Sequence, residues 1–322
     1  MRIRFLALLA IVLVLLIPPA HAGGQKTMDA SRKPTVIPLW QGKPPAGSGH
    51  KPAAPEHLVR KTAVPPGLVK DIGEPRMVVL HPRHPNGTAV LVVGGGGYVV
   101  LAIAQESMPV AQWLLTLGVT PAILYYRLPG DGWAPVAPFQ DAQRAMRLLR
   151  RHAADFGIDP QRTGIIGFSA GGNLAGITAT RSGHDFYPPR DTADKLSSRP
   201  DFAGLIYPVS SLAHDHSGTR RQLMAQSNAV AAYTVQSHVS ARTPPTFIVH
   251  AADDTVVDVG DSLALFRALH AHGVPAELHV FEKGGHGFGM GLPGTRASHW
   301  PGLFASWMAH HGWLPPAPVQ GG

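Results

Sequence analysis

The sequence predicts an α/β fold: one domain with a mostly parallel central sheet and helices on both faces. Three observations predict it. From residue 76 onward, short apolar runs alternate with segments of helical period, which is the pattern of βαβ crossovers. No linker or internal repeat divides that stretch. One apolar run, Ile165-Ile166-Gly167-Phe168, passes directly through Ser169 into the small residues 170–180. This is the sequence of a tight strand-to-helix turn.

The chain opens with Arg2 and Arg4, an apolar run from Phe5 to Ile17, Pro18-Pro19 and Ala20-His21-Ala22. These features predict a signal peptide over residues 1–22, cleaved after Ala22. The expected consequences are export to the periplasm or beyond, and no stable membrane association afterwards. The absence of cysteine suits an oxidising compartment. Residues 23–75 are rich in Pro, Gly and Lys and read as a looping lead-in, with Trp40 as a pin to the body. The domain itself is expected over 76–314, followed by a flexible tail, 315–322.

Within the domain, 77–80 and 88–93 read as strands joined through the Asn86-Gly87 turn signal. A helix is expected over 110–117 and a strand over 119–126. The clearest helix is 139–156, where Ala142, Ala145, Met146, Leu148, Leu149 and Ala153 repeat at helical spacing with arginines between them. Gly157 and Asp159-Pro160 end it. Further strands are expected at 202–207, 247–251 and 276–281, and helices at 260–272 and 300–310. The polar segments 181–200 and 209–245 fall between strands, so they are expected over the carboxyl edge of the sheet, where loops meet ligands.

Composition narrows the function. Hydrophobic residues make up 44% of the chain and charged residues 15%, which excludes a disordered protein. The net charge of +8 is scattered and has no interleaved aromatics, so no nucleic-acid partner is expected.

Gly167-Phe168-Ser169-Ala170-Gly171 matches G-x-S-x-G, a weak signal alone in a chain with 36 glycines. Two motifs downstream of it add weight. A serine nucleophile needs a base, and the base needs an orienting carboxylate. The strand 247–251 runs into Asp253-Asp254. Asp254 fits the H-G-x-x-D-x-x-V spacing, with Ala251 in place of the glycine, and Asp253 is the alternative. His286 lies in the glycine-rich loop after the last expected strand, free to swing for proton transfer. The order Ser169, Asp254, His286 is that of α/β-hydrolases. The run Gly94-Gly95-Gly96-Gly97 after a strand offers backbone amides for an oxyanion. It lacks the G-x-G-x-x-G spacing and the lysine of a phosphate loop.

Taken together, Gly94 to Tyr98, Tyr126-Arg-Leu-Pro129, Asp141 to Arg144, Gly157-Ile-Asp-Pro160, Gly167 to Leu174, Arg199 to Phe202, Leu205 to Pro208, Pro244 to Asp254 and Pro275 to Phe288 carry a resemblance. Over about residues 76–310 the chain resembles the acetylxylan esterase and bifunctional acetyl/feruloyl esterase group of α/β-hydrolases, relatives of the hormone-sensitive lipase-like families. Gly94 stands where those relatives usually carry His or Pro. The resemblance implies Ser169 as nucleophile, His286 as base and Asp254 as acid. It implies an oxyanion hole from Ala170 and Gly96, or the neighbouring Gly95 or Gly97. The implied activity is cofactor-free hydrolysis of short acyl esters of a small molecule or polysaccharide, acetylated xylan among them.

Tyr98, Trp133 and Tyr187 have two readings each, stacking on a sugar or aromatic acid, or packing in the core. Asp141 reads as a helix cap or an ion-pair partner. His214-Asp215-His216 lacks a third ligand, so no metal is expected. Two rivals share the fold, a peptidase and a non-catalytic polysaccharide-binding relative. The first usually needs an extra domain, and the second has no use for a triad.

Overall fold

The computed structural model describes residues 32–45, 67–213, 218–224 and 230–315. Residues 1–22, expected as a signal peptide, His214 to His216 and the tail from 316 onward lie outside the described residues. In chain order the strands are β1 (Thr35–Pro38), β2 (Leu68–Val69), β3 (Arg76–Val79), β4 (Ala89–Val93), β5 (Leu101–Ala102), β6 (Thr120–Tyr125), β7 (Thr163–Phe168), β8 (Ala203–Ile206), β9 (Thr246–Ala251) and β10 (Ala276–Phe281). The helices are α1 (Met108–Thr116), α2 (Ala137–Arg151), α3 (Ala153–Phe156), α4 (Ala170–Thr180), α5 (Thr219–Met224), α6 (Val259–Ala271) and α7 (Trp300–His310).

Eight strands form one sheet in the order β1-β3-β6-β4-β7-β8-β9-β10, and β2 pairs with β5 apart from it. The pairs from β6 to β10 are parallel, while β1-β3 and β3-β6 are antiparallel. Every residue of β4, β7, β8 and β9 is buried, as a parallel sheet covered on both faces requires. On one face, Trp113 of α1 meets Trp300 and Phe304 of α7 at ring separations of 6.0 and 6.3 Å. On the other, α2 packs against α4, the helix that begins just after Ser169.

Three expectations are corrected. Part of the lead-in is structured: residues 35–38 add β1 to the sheet edge, while Trp40 does pin the segment to the body, its indole donating to Asp141 at 2.7 Å. The Asn86-Gly87 turn does not join neighbouring strands, because β6 lies between β3 and β4. Asn86 instead docks on the turn that leads from α1 into β6. Its amide donates to the Gly118 carbonyl, and its side-chain amide to that of Leu117. Finally, 181–200, expected over the carboxyl edge of the sheet, runs from the C-terminal end of α4 to the start of β8, and much of it is held by α2. Arg144 binds Asp191 and Asp194, Arg147 binds Asp185, and Arg150 reaches the carbonyls of Ser197 and Arg199.

Candidate active site

The centre of the site is the turn from β7 to α4. Ser169 has φ 51° and ψ −119°, a conformation that residues with a side chain seldom adopt. The turn closes only because its flanking glycines lack side chains: a Cβ on Gly167 would stand 2.1 Å from the Gly171 carbonyl oxygen. The backbone is held from the next strand, since the Ser169 amide donates to Ile206 and the Val209 amide donates back to Ser169.

His286 and Asp254 complete a hydrogen-bonded line. Ser169 Oγ lies 2.8 Å from His286 Nε2, and His286 Nδ1 lies 2.7 Å from Asp254 Oδ2. A carboxylate accepts, so Nδ1 carries the imidazole proton and Nε2 is left to accept from the serine hydroxyl. The Asp254 side chain is fully buried. Burial alone raises a carboxyl pKa, but hydrogen bonds from His250, from His286 and from the Val257 amide outweigh it and hold Asp254 well below its usual value. Of the two aspartates, it is Asp254 that meets His286. Asp253 accepts the Gly284 and Gly285 amides at 2.9 and 2.8 Å and so anchors the loop that carries His286.

His250 lies behind the acid. Its Nε2 is 3.0 Å from the Val257 carbonyl and 3.3 Å from Asp254 Oδ2, while Nδ1 meets Ser262 Oγ at 2.7 Å. Two acceptors face Nε2, so that nitrogen is the donor and Nδ1 accepts from the Ser262 hydroxyl. His250 is the first residue of the H-A-x-x-D spacing; the spacing points to Asp254 without revealing this contact.

The first three carbonyls of the glycine run are engaged. The Gly94 carbonyl accepts from Tyr126 Oη at 2.9 Å. The Gly95 carbonyl accepts from the Ala102 amide, and that of Gly96 from the Val99 and Val100 amides. The Gly95 amide donates to Glu106 Oε2 at 2.6 Å, which removes Gly95 from the expected oxyanion donors. Among the described residues no acceptor is assigned to the amides of Gly96, Gly97 or Ala170, the first residue of α4. Those three remain available to a developing negative charge near Ser169.

The sequence does not single out Glu106. It lies in the π-helical turn Ile103–Ser107, is 5% exposed, and accepts from Tyr207 Oη at 2.9 Å as well as from Gly95. Burial pushes its pKa up, against the opposing pull of the Gly95 amide, the Tyr207 hydroxyl and nearby His286.

All three aromatic candidates are packed in the core. Tyr98 is fully buried and donates to Asn173 Oδ1 at 3.0 Å, which ties the glycine loop to α4. Trp133 is buried beneath the Arg127 guanidinium, 5.1 Å from its ring. Tyr187 is buried edge-on to Trp40 with its hydroxyl on Asp194. With 0, 5 and 3% of their surfaces exposed, Tyr98, Trp133 and Tyr187 offer no accessible ring face to a sugar, so the packing reading replaces the stacking one for each. Asp141 is an ion-pair partner, fully buried against Arg127.

Comparison with known proteins agrees with this architecture. Residues 79–269, more than half of the chain, match the BD-FAE family. An acetylxylan esterase of Xylanibacter ruminicola is 32% identical over 233 residues, which is 69% of this chain and 45% of that protein. Endo-1,4-beta-xylanase B of Butyrivibrio fibrisolvens is 29% identical over 214 residues, covering 65% and 33%. The chain therefore spans less than half the length of these two relatives. Among solved structures, an acetyl ester-xyloside bifunctional hydrolase from Caldicellulosiruptor lactoaceticus superposes with a TM-score of 0.74 at 33% identity. That match covers 87% of this chain and 97% of the other. A propionate-bound esterase from Thermogutta terrifontis gives 0.67 at 26% identity, covering 76% and 92%. With its mostly parallel sheet and the serine turn at the end of β7, the chain has the α/β-hydrolase fold and belongs to the BD-FAE family.

Proposed function

We propose that this protein is a serine carboxylesterase that hydrolyses short acyl esters, acetyl above all, on carbohydrate such as xylan. The observation that carries the reading is the unbroken line from Ser169 Oγ through His286 to Asp254, at 2.8 and 2.7 Å. The likeness to an acetylxylan esterase and to an acetyl ester-xyloside hydrolase supports the substrate class.

In this reading Ser169 Oγ attacks the ester carbonyl carbon while His286 Nε2 takes the hydroxyl proton. Asp254 keeps the imidazole in the right tautomer and offsets the charge it gains. The carbonyl oxygen becomes an oxyanion held by the Ala170 amide with those of Gly96 and Gly97. His286 returns the proton to the leaving alcohol, and the acyl group stays on Ser169. Water then attacks the acyl-enzyme with the same base, the free acid departs, and Ser169 recovers its proton. No cofactor enters any step.

The test is turnover of nitrophenyl acetate, butyrate, octanoate and a feruloyl ester, beside Ser169→Ala, and then release of acetate from acetylated xylan. The expected result is activity that falls steeply with acyl length and drops by about 10⁶-fold in Ser169→Ala if the three residues act as a unit. A folded protein inactive on every ester overturns the reading.

A further inference from the structure

Two segments must hold still relative to each other for the chemistry proposed above. One is the glycine loop, which presents the amides of Gly96 and Gly97. The other is the loop that carries His286. They come from distant parts of the sequence, and neither belongs to a helix or strand of the sheet. What joins them is a chain of polar contacts through two buried side chains. The Gly95 amide donates to Glu106 Oε2 at 2.6 Å, Tyr207 Oη donates to Glu106 Oε1 at 2.9 Å, and the Gly289 amide donates to Tyr207 Oη at 3.0 Å. Gly289 is locked in turn, because its carbonyl accepts from the Trp300 indole at 2.9 Å.

Resting on the esterase reading, we infer that Glu106 and Tyr207 are positioning residues: their side chains form a strut that sets the oxyanion loop against the histidine loop. The chemistry of the contacts is directional, since a carboxylate offers only acceptors and two donors converge on it. Tyr207 must then point its O–H at Glu106 as a donor, which leaves its oxygen to accept from Gly289. Space is equally restrictive, because Gly289 has φ 54° and a Cβ there would stand 2.7 Å from the Gln105 carbonyl oxygen. The histidine loop thus rests directly on the turn that carries Glu106.

Tyr207 itself is held at φ 38°, an unfavourable value for a residue with a side chain. Its ring is fixed edge-on against His286 and Phe288, with centroids 5.1 and 4.5 Å away. A fully buried residue in a strained conformation, with its hydroxyl between the two loops, is suited to holding geometry. The titratable groups facing Glu106 are Tyr207, Tyr126 and His286. Among them Tyr126 grips the carbonyl of Gly94, one residue before the amide that Glu106 holds.

Glu106→Gln and Tyr207→Phe test this with little change of volume. Glutamine has one acceptor oxygen and one NH2 group, so it can satisfy only one of the two donors. Because the oxyanion amides act on the transition state, the loss should appear in kcat. The expected result on nitrophenyl acetate is a kcat about 10–100-fold lower in Glu106→Gln, with KM within about threefold and cooperative thermal unfolding retained. Tyr207→Phe should lose about fivefold or more, and the double variant should be no worse than Glu106→Gln, since both break one strut.

Amide hydrogen exchange gives a second readout that does not depend on turnover. Gly289 should exchange faster in Glu106→Gln and Gly95 faster in Tyr207→Phe, each responding to the change at the far end. The strut is refuted if both single variants keep kcat within about twofold, if their losses simply multiply, or if neither distant amide responds. A wild-type protein without Ser169-dependent ester turnover would refute the esterase reading instead, and the exchange data alone would then decide the strut.

Discussion

Two adjacent aspartates occupy different environments, and their hydrogen bonds divide the work between them. The Asp254 side chain is buried with its carboxylate on His286, whereas Asp253 is partly exposed, holds the Gly284 and Gly285 amides and has the Lys283 ammonium at 3.9 Å. Asp254→Asn keeps the shape but presents an NH2 or a neutral oxygen to His286, which no longer fixes the tautomer. Its kcat should fall by about 10³–10⁴-fold. Asp253→Asn retains an oxygen for the two amides and should lose less than about tenfold. Steady-state kinetics of the pair checks this, and equal losses would contradict the assignment. Ser169, Asp254 and His286 are legible in the sequence because each sits in a glycine-marked or spaced motif that has few other uses. Glu106 is not. Read linearly, it is an acidic residue at the start of a helical segment, an ordinary preference. Its meaning depends on Gly95 and Tyr207, which only the folded sheet brings to it.

Among the elements, α2 shows both sides of legibility. Its period is plain, and the structure gives a helix over 137–151 with a short continuation over 153–156. The partners of its arginines are not plain, because Asp185, Asp191, Asp194 and Asp201 have no regular spacing and lie in a segment that reads only as loop. The contacts of Asp191 and Asp194 with Arg144 predict that the packing of this segment on α2 is acid-sensitive. The Asp194 side chain is fully buried against Arg144. Burial raises its pKa, but hydrogen bonds from Tyr187, the Arg190 amide and Arg144 prevail and hold it below the ordinary aspartate range. A carboxylate with a depressed folded pKa contributes its full stabilisation above its unfolded value. That contribution is lost as pH falls through the folded pKa. Thermal stability should therefore drop as the medium is taken below about pH 4, and Asp194→Asn should flatten the drop while lowering stability at neutral pH. Melting curves between neutral pH and acid measure both. An unchanged acid limb in Asp194→Asn would show that other carboxylates control it.

At the scale of the whole molecule, the N-terminal segment, the exit of β6 and α2 are fastened by one buried ion pair. Arg127 and Asp141 are both fully inaccessible. Arg127 also donates to the Pro45 carbonyl at 2.6 Å and to Gln140 Oε1 at 3.0 Å, and Asp141 accepts the Trp40 indole. Two charges withdrawn from water are costly, and these are tolerated because nearly every donor and acceptor is matched. Removing one partner strands the other. Arg127→Leu leaves the Asp141 carboxylate buried with too few donors and should lower the unfolding free energy by about 3–5 kcal/mol. That is a large part of the roughly 5–15 kcal/mol that keeps a domain folded. Adding Asp141→Leu removes the stranded charge as well, so the double variant should be more stable than Arg127→Leu. It should stay below wild type, because Trp40 Nε1 and the Pro45 carbonyl each lose a partner. Denaturant midpoints of the three proteins separate the possibilities. If Arg127→Leu costs less than about 1 kcal/mol, the segment is held by β1 pairing and apolar contact instead, and the ion pair contributes orientation without stability.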